Sequence, residues 1–483
     1  MKRWTLWLAG AAALVAGVAA CPQFAPDDVC GYPGFCGDSS SPGDGGKDAG
    51  PDGPVTCPSG HEPKDDPSCV SDALGIFVTP TGNDSNPGTK ESPVATVTKA
   101  LALAKSGGEG FVFVCEGSYT ESVDVAQTIS IFGGFQCSDW SYSGTQPKFT
   151  GAKPDYVFHL SGADDTVMGD LELDAPDAPA NTGESSIGAF VANSQNVTFE
   201  RMTIHAGKGS GGIAGVTTNY TFPDAGALAG NSATGIDGGI ENSQNCPGGD
   251  TTVGGAGGYG NGTTGEDGKP ALDGGLGGQL AACNSGGGGG DGSPASKGVD
   301  GAGAATLGGL DASGWQPQAG QQGAHGTAGQ GGGGGLGITN GGGGGGGAGG
   351  CGGAGGAAGS GGGGSIAIIA VSSVVTCQSD DLLASAAGPG GIGAVGQTGA
   401  AGGSHGNGFG TGCSGGNGGA GGSGGAGGGG AGGVSVGVLS KGGTINIDSA
   451  TQSNITPGTA GAKGTGAAGN DGIDGVSQAT LAL

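Results

Sequence analysis

From Gly415 to Gly433 glycine recurs at every third position, and Gly320, Gly323, Gly326 and Gly329 keep the same spacing. Three residues per turn is the period of the polyproline II helix, so such a run can set a bare backbone face against a neighbouring run. The period breaks often and proline is scarce within these tracts, so a continuous collagen triple helix cannot propagate. Two states stay open for the tracts: a bundle of packed polyglycine-II-like helices, or flexible linker. Glycine's ordering entropy favours the linker, whereas backbone hydrogen bonds and cross-links favour the bundle. With 126 glycines in 483 residues and no side chain on any of them, an apolar core has to be built from the remaining sequence.

Such sequence begins near Leu74, where IFVT reads as a strand, followed by the turn-rich PTGNDSNPGTKESP. A short helix is expected next, with Ser92 as N-cap, Pro93 in the first position, Val94, Val97, Leu101 and Ala104 as one apolar stripe, and Gly107-Gly108 as the stop. FVFVC, ESVDV and TISIFGGF then read as short strands with no room for crossover helices. This stretch, roughly 76–135, resembles the opening segment of secreted right-handed parallel β-helix proteins of the pectin-lyase-like kind. The resemblance implies an all-β solenoid whose small helix covers the open end, where the first coil has no neighbour.

Internal repetition points the same way. IGAFVANSQNVTFERMTIHAGKG, SIAIIAVSSVVTCQSDDLLASAAGPG and VSVGVLSKGGTINIDSATQSNITPG share one plan of strand, polar turn, strand and glycine, and VFHLSGADDTVMGDLELDAP is a weaker copy. The glycine-rich tracts, about 209–364, 388–433 and 458–475, each leave after the same point of the unit. They are therefore expected to be insertions thrown out from one corner of successive coils. In composition alone they resemble mycobacterial PGRS-type proteins, without the PE-type helical module that precedes such tracts there.

The chain opens MKRWTLWLAGAAALVAGVAAC, with Lys2 and Arg3, an apolar run from Leu6 to Val18, and small residues before a cysteine. That is the layout of a secretory signal, and the run falls short of the ~20 apolar residues of a membrane span. Val18-Ala19-Ala20-Cys21 resembles the bacterial lipobox, which implies cleavage before Cys21 and a diacylglycerol on its sulfur. Pro22 follows where an aspartate retains some lipoproteins at the inner membrane, so an outer-membrane or cell-surface lipoprotein is expected. The organisation read from the sequence is a signal peptide at 1–20, a flexible tether at 21–73 and a β-helix domain at 74–483.

A net charge of −26 with 15 basic residues excludes a nucleic-acid binder, which needs clustered cations. Twelve cysteines fit an oxidising compartment. Without Cys21 the number is odd, and Cys377, alternating with Val375 on the inward face of a strand, is expected to be the free thiol. Proximity suggests Cys30 with Cys36, Cys57 with Cys69, Cys115 with Cys137, Cys246 with Cys283, and Cys351 with Cys413, although spacing does not fix connectivity. Cys57, His61 and Cys69 holding zinc is the alternative for that cluster, with no fourth ligand evident.

Many parallel β-helices cleave polysaccharides, and the best acidic group here is Asp164, Asp165, Asp170, Glu172 and Asp174. Alternation with Leu171 and Leu173 puts Asp170, Glu172 and Asp174 on one outward face, roughly 6–7 Å apart in succession. That spacing suits Ca²⁺ or acid/base hydrolysis, and it equally suits a solvated strand face. Cationic partners for uronate are limited to Arg201, Lys153 and Lys208, and His159 and His205 sit on strands as exposed imidazoles. No nucleophile elbow, zincin helix or phosphate loop occurs, and no metal or cofactor is implied. The expectation is a lipid-anchored, non-catalytic surface protein with a structural or adhesive role and polysaccharide or other surface components as partners. A polysaccharide lyase or hydrolase on the same scaffold is the alternative.

Overall fold

A computed structural model describes Cys57 and residues 61–108, 110–152 and 155–483 of the chain. The readings made for Cys21, Cys30, Cys36 and Lys153 lie outside the described residues. The rest is mostly β, and its long-range strand pairing is parallel. Three ladders run through it. The first contains Gly75–Val78, Phe111–Cys115, Ser130–Phe135, Val167–Gly169, Val197–Glu200 and the C-terminal parts of the long strands Ser365–Gln378 and Ser435–Ile447. The second contains Ser118–Thr120, Lys148–Thr150, Glu172–Asp174, Thr203–Ala206, Asp381–Ala384 and Ile455–Thr456. The third contains Val123–Val125, Phe158–Ser161, Ser186–Ala192, the N-terminal parts of the two long strands and Ser477–Ala482.

Register makes columns. Tyr119, Phe149, Leu173, Ile204, Leu382 and Ile455 are successive partners of the second ladder, and all are buried. Val112, Ile131, Met168, Phe199 and Cys377 stack likewise in the first, and one apolar cluster joins residues of all three ladders. The period-two alternation of short β-rich segments thus aims one face of every strand into a common core. Corners between first and second ladders are turned by Asp170, Arg201 and Ser379, with φ of 56°, 54° and 56°. This curled, parallel arrangement fits a β-helix solenoid.

The helix spans Val97–Gly107 and buries Val97, Ala100, Leu101 and Ala104 against the first coils. It starts later than Ser92-Pro93 suggests. Thr96 is the N-cap, and the Glu121 carboxylate accepts the Val97 and Thr98 amides. Val94 instead bridges Val78, its amide donating to the Phe77 carbonyl and its carbonyl accepting from Thr79, which satisfies backbone groups of an edge strand.

The glycine-rich segments run from the end of a second-ladder strand to the start of a third-ladder strand. Their amides are paired at every third residue. Gly344, Gly347, Gly350, Gly353 and Gly356 donate to the carbonyls of Cys413, Gly416, Gly419, Gly422 and Gly425 in a parallel run. Gly320, Gly323, Gly326 and Gly329 donate to Gly359, Gly356, Gly353 and Gly350 in an antiparallel one. Every residue of 341–356 is buried. A Cβ at Gly353 would run into the carbonyl of Gln397, so close approach of backbones demands glycine at that phase.

Among the described residues four disulfides join Cys57 to Cys69, Cys115 to Cys137, Cys246 to Cys351 and Cys283 to Cys413. The last two correct the pairing by proximity. Because Gly344 donates to the Cys413 carbonyl, Cys413 lies level with Gly344, roughly 20 Å along its run from Cys351 at the ~3.1 Å rise of such helices. The Cys57–Cys69 bond also overturns the zinc alternative, and His61 Nδ1 lies 3.3 Å from Asp66. Cys377 is a buried free thiol facing the core, as its alternation with Val375 suggested, and burial pushes it far above the usual thiol range. Four disulfides mark an exported protein. No helix among the described residues is long and apolar enough to cross a membrane.

Candidate functional site

The acidic row divides on folding. Glu172 and Asp174 lie on the outward side of the second ladder, as alternation with Leu173 requires. Lys148 Nζ sits 2.9 Å from both Glu172 Oε1 and Asp174 Oδ2. Asp174 Oδ1 is 3.0 Å from His205 Nδ1, and His205 Nε2 is 3.1 Å from Ser385 Oγ. Partial burial works against the Asp174 carboxylate, yet hydrogen bonds from Lys148 and His205 hold it below the usual carboxylate range. The stripe is a chain of mutually satisfied side chains.

Asp170 does not share that outward face. It turns a corner, is 4% exposed, and accepts hydrogen bonds from Tyr142 Oη at 2.8 Å and from Arg201 Nε and Nη2 at 2.9 Å each. The left-handed backbone at Asp170 breaks the alternation that would have aimed it outward with Glu172. Arg201 is thereby committed to Asp170 and Glu200, and is not free to meet a uronate. Lys208 lies 4.0 Å from Asp177. Asp164 and Asp165 accept from the Gln195 amide and Asn196 Nδ2 in the next coil. Among the described residues no three His, Cys, Asp or Glu are placed to hold a metal.

A different place has the form of a binding site. Asp124, His159, Phe190, Ile369 and Leu439 are successive outward positions of the third ladder, so the column passes from polar to apolar. Its apolar part is covered by a hairpin, Gly308–Asp311 with Gly314–Pro317, whose Leu310 and Trp315 pack on Ile187, Phe190, Ile366 and Ile369. Where cover and column part, a cleft of about 470 Å³ remains, lined by Asp155, Tyr156, His159, Glu184, Phe190 and Trp315 among others. His159 stacks on Phe190 with ring centroids 4.9 Å apart. Its Nδ1 is 3.0 Å from Asp124 Oδ1, which also accepts from Tyr156 Oη at 3.1 Å. His159 Nε2 and Trp315 Nε1 are buried without a hydrogen-bond partner in the protein.

Sequence reading singled out His159 but missed Asp124, Tyr156, Phe190 and Trp315. The available signal was Trp315, a lone indole within the tract 209–364, together with SIAIIAV, an unbroken apolar run that needs cover on both faces.

The ladders and their common core fit a fold of the parallel β-helix type. A family model described as a protein of unknown function, DUF1565, matches residues 80–135, and that family is associated with parallel β-helix proteins. Comparison with curated proteins and with solved structures returns no match.

Proposed function

We propose that this chain is an exported lipoprotein, anchored through Cys21 at the outer membrane or cell surface, with a structural and adhesive role. On this reading the glycine-rich tracts are insertions on a right-handed β-helix that pack as polyglycine-II-like runs. One observation carries it: the hydrogen-bonded runs turn side chains outward at every third position. Pro389, Ile392, Val395, Thr398 and Ala401 are all exposed along one run, and Ile213 and Val216 along its neighbour, at 54% for Ile392 and 77% for Val216. Rigid backbones presenting apolar side chains to solvent suit attachment, since such patches on soluble proteins generally mark contact sites.

The test replaces Ile213, Val216, Ile392 and Val395 together with serine and measures attachment of cells displaying the protein to polysaccharide-coated and apolar surfaces. Attachment should fall severalfold with the fold intact, and unchanged attachment would refute the adhesive role. Anchoring is tested separately: Cys21→Ala should lose labelling by a fatty-acid probe and membrane retention. A carbohydrate-active enzyme on the same scaffold is the second reading, favoured by the Asp124–His159 pair beside the cleft, since a carboxylate-oriented imidazole can act as a base. Turnover of any polysaccharide that Asp124→Asn abolishes would establish it in place of the first.

A further inference from the structure

We propose that the cleft between the third ladder and the Gly308–Pro317 hairpin binds a neutral sugar residue of a polysaccharide. The inference rests on the adhesive reading and gives it a ligand class. Size comes first: about 470 Å³ falls within the ~300–1,000 Å³ of small-molecule sites. The lining is amphipathic in a particular way. Phe190, Trp315, Tyr156 and the His159 ring supply aromatic surface, while Glu184 and Asp155 supply carboxylate acceptors. A pyranose has that same division, with C–H faces that rest on rings and hydroxyls around its edge that both donate and accept.

Two unsatisfied nitrogens sharpen the assignment. Trp315 is 5% exposed and its Nε1–H has no acceptor, a cost that native proteins seldom leave standing. His159, with Nδ1 held by Asp124, leaves Nε2 without a partner. A sugar edge carries hydroxyls able to accept from the indole and donate to the imidazole once the hairpin yields enough to uncover the two nitrogens. Charge then selects among sugars. Among the described residues, those lining the cleft include Asp155 and Glu184 and neither lysine nor arginine, and Asp124 stands behind His159. A uronate carboxylate would meet repulsion from these carboxylates.

The full mature chain is titrated with cellohexaose, maltohexaose, mannohexaose and hexagalacturonate, following indole emission and heat. At least one neutral hexaose should bind saturably and shift the emission, with hexagalacturonate silent. Trp315→Phe keeps an aromatic ring over Phe190 while removing the indole N–H with its five-membered ring, and should weaken binding about tenfold. Asp124→Asn, which replaces the carboxylate partner of His159 Nδ1 with a neutral amide, should weaken it as well, and an unaltered unfolding midpoint in both variants shows that the fold survives. Silence from all three neutral probes, equal binding of hexagalacturonate, or undiminished affinity in both variants would overturn the assignment. Attachment separates the two ideas: if the four-serine variant detaches cells while Trp315→Phe neither weakens binding nor alters attachment, the sugar site falls and the adhesive role stands.

Discussion

In the stacked ladders, side chains fill the middle and backbones form the wall: Tyr119, Phe149, Leu173, Ile204 and Leu382 make one buried column inside the three ladders. In the glycine-rich layers the arrangement is reversed. Backbones fill the middle of 341–356, and the side chains that exist, such as Ile392 and Val395, stand on the outside. The first region derives its cohesion from apolar surface removed from water, the second from amide–carbonyl pairs repeated every three residues. The same substitution therefore has opposite meanings in the two. Adding a side chain is ruinous where backbones touch, and removing one is ruinous where side chains touch.

The sharpest break should come from Gly353→Val, because the added Cβ overlaps the Gln397 carbonyl, a backbone group that already accepts from the Gly424 amide. A loss of about 5 kcal/mol or collapse of the layer is expected, read by denaturant unfolding and by loss of amide protection around 341–356. Gly309→Ala, with no atom within 4 Å of the added Cβ, is the control and should stay within ~0.5 kcal/mol. An equally tolerated Gly353→Val would mean that the layer is looser than its hydrogen bonds imply. In the ladders the converse change, Phe149→Ala, should cost about 3–5 kcal/mol and leave amide protection in the glycine layer nearly intact.

Proton uptake distinguishes the regions too. Asp380 is fully buried, its Oδ1 accepting from the Met202 amide and its Oδ2 from the Gln378 amide, and burial pushes its carboxyl up to about 7. Below about pH 4 folded and unfolded chains both hold this proton, so the group is without effect there. As pH rises toward 7 the unfolded chain ionises first, and stability falls by at most about 4 kcal/mol, the loss being complete above the folded value. Urea titrations between pH 4 and 8 should show that slope, and Asp380→Asn should flatten it. The smallest effect belongs to the outward stripe: Glu172→Gln with Asp174→Asn should shift stability by under about 0.5 kcal/mol each, since solvent-screened ion pairs at a half-exposed surface contribute little. A drop of several kcal/mol in that variant would make the stripe part of the core.

Much of the ladder region was legible because it obeys period two. Phe149, Leu173 and Ile204 alternate with polar neighbours, and the inward Cys377 followed from Val375. Corners were not legible, since a left-handed residue flips the alternation without a fixed residue type: Asp170, Arg201 and Ser379 occupy equivalent turns. The helix start was misplaced because Ser92-Pro93 satisfies capping rules while Val94 is claimed by a strand edge. In the glycine tracts the period was plain, but which run lies beside which depends on register between distant segments, hence the exchanged partners of Cys246 and Cys413. The cleft was hidden for the same reason. Trp315 reaches His159 and Phe190 only through a hairpin in the middle of the longest tract.

The buried run 341–356 also sets how the protein responds to temperature. Heat capacity rises on unfolding when apolar surface is wetted and falls when peptide groups are. Melting the ladders wets Phe, Leu and Ile, whereas melting the glycine layer wets mostly amides and carbonyls. The layer's share of the heat-capacity increment is therefore small for its length. Its stability curve is correspondingly flat, holding its cohesion toward low temperature, where the hydrophobic contribution to the ladders fades.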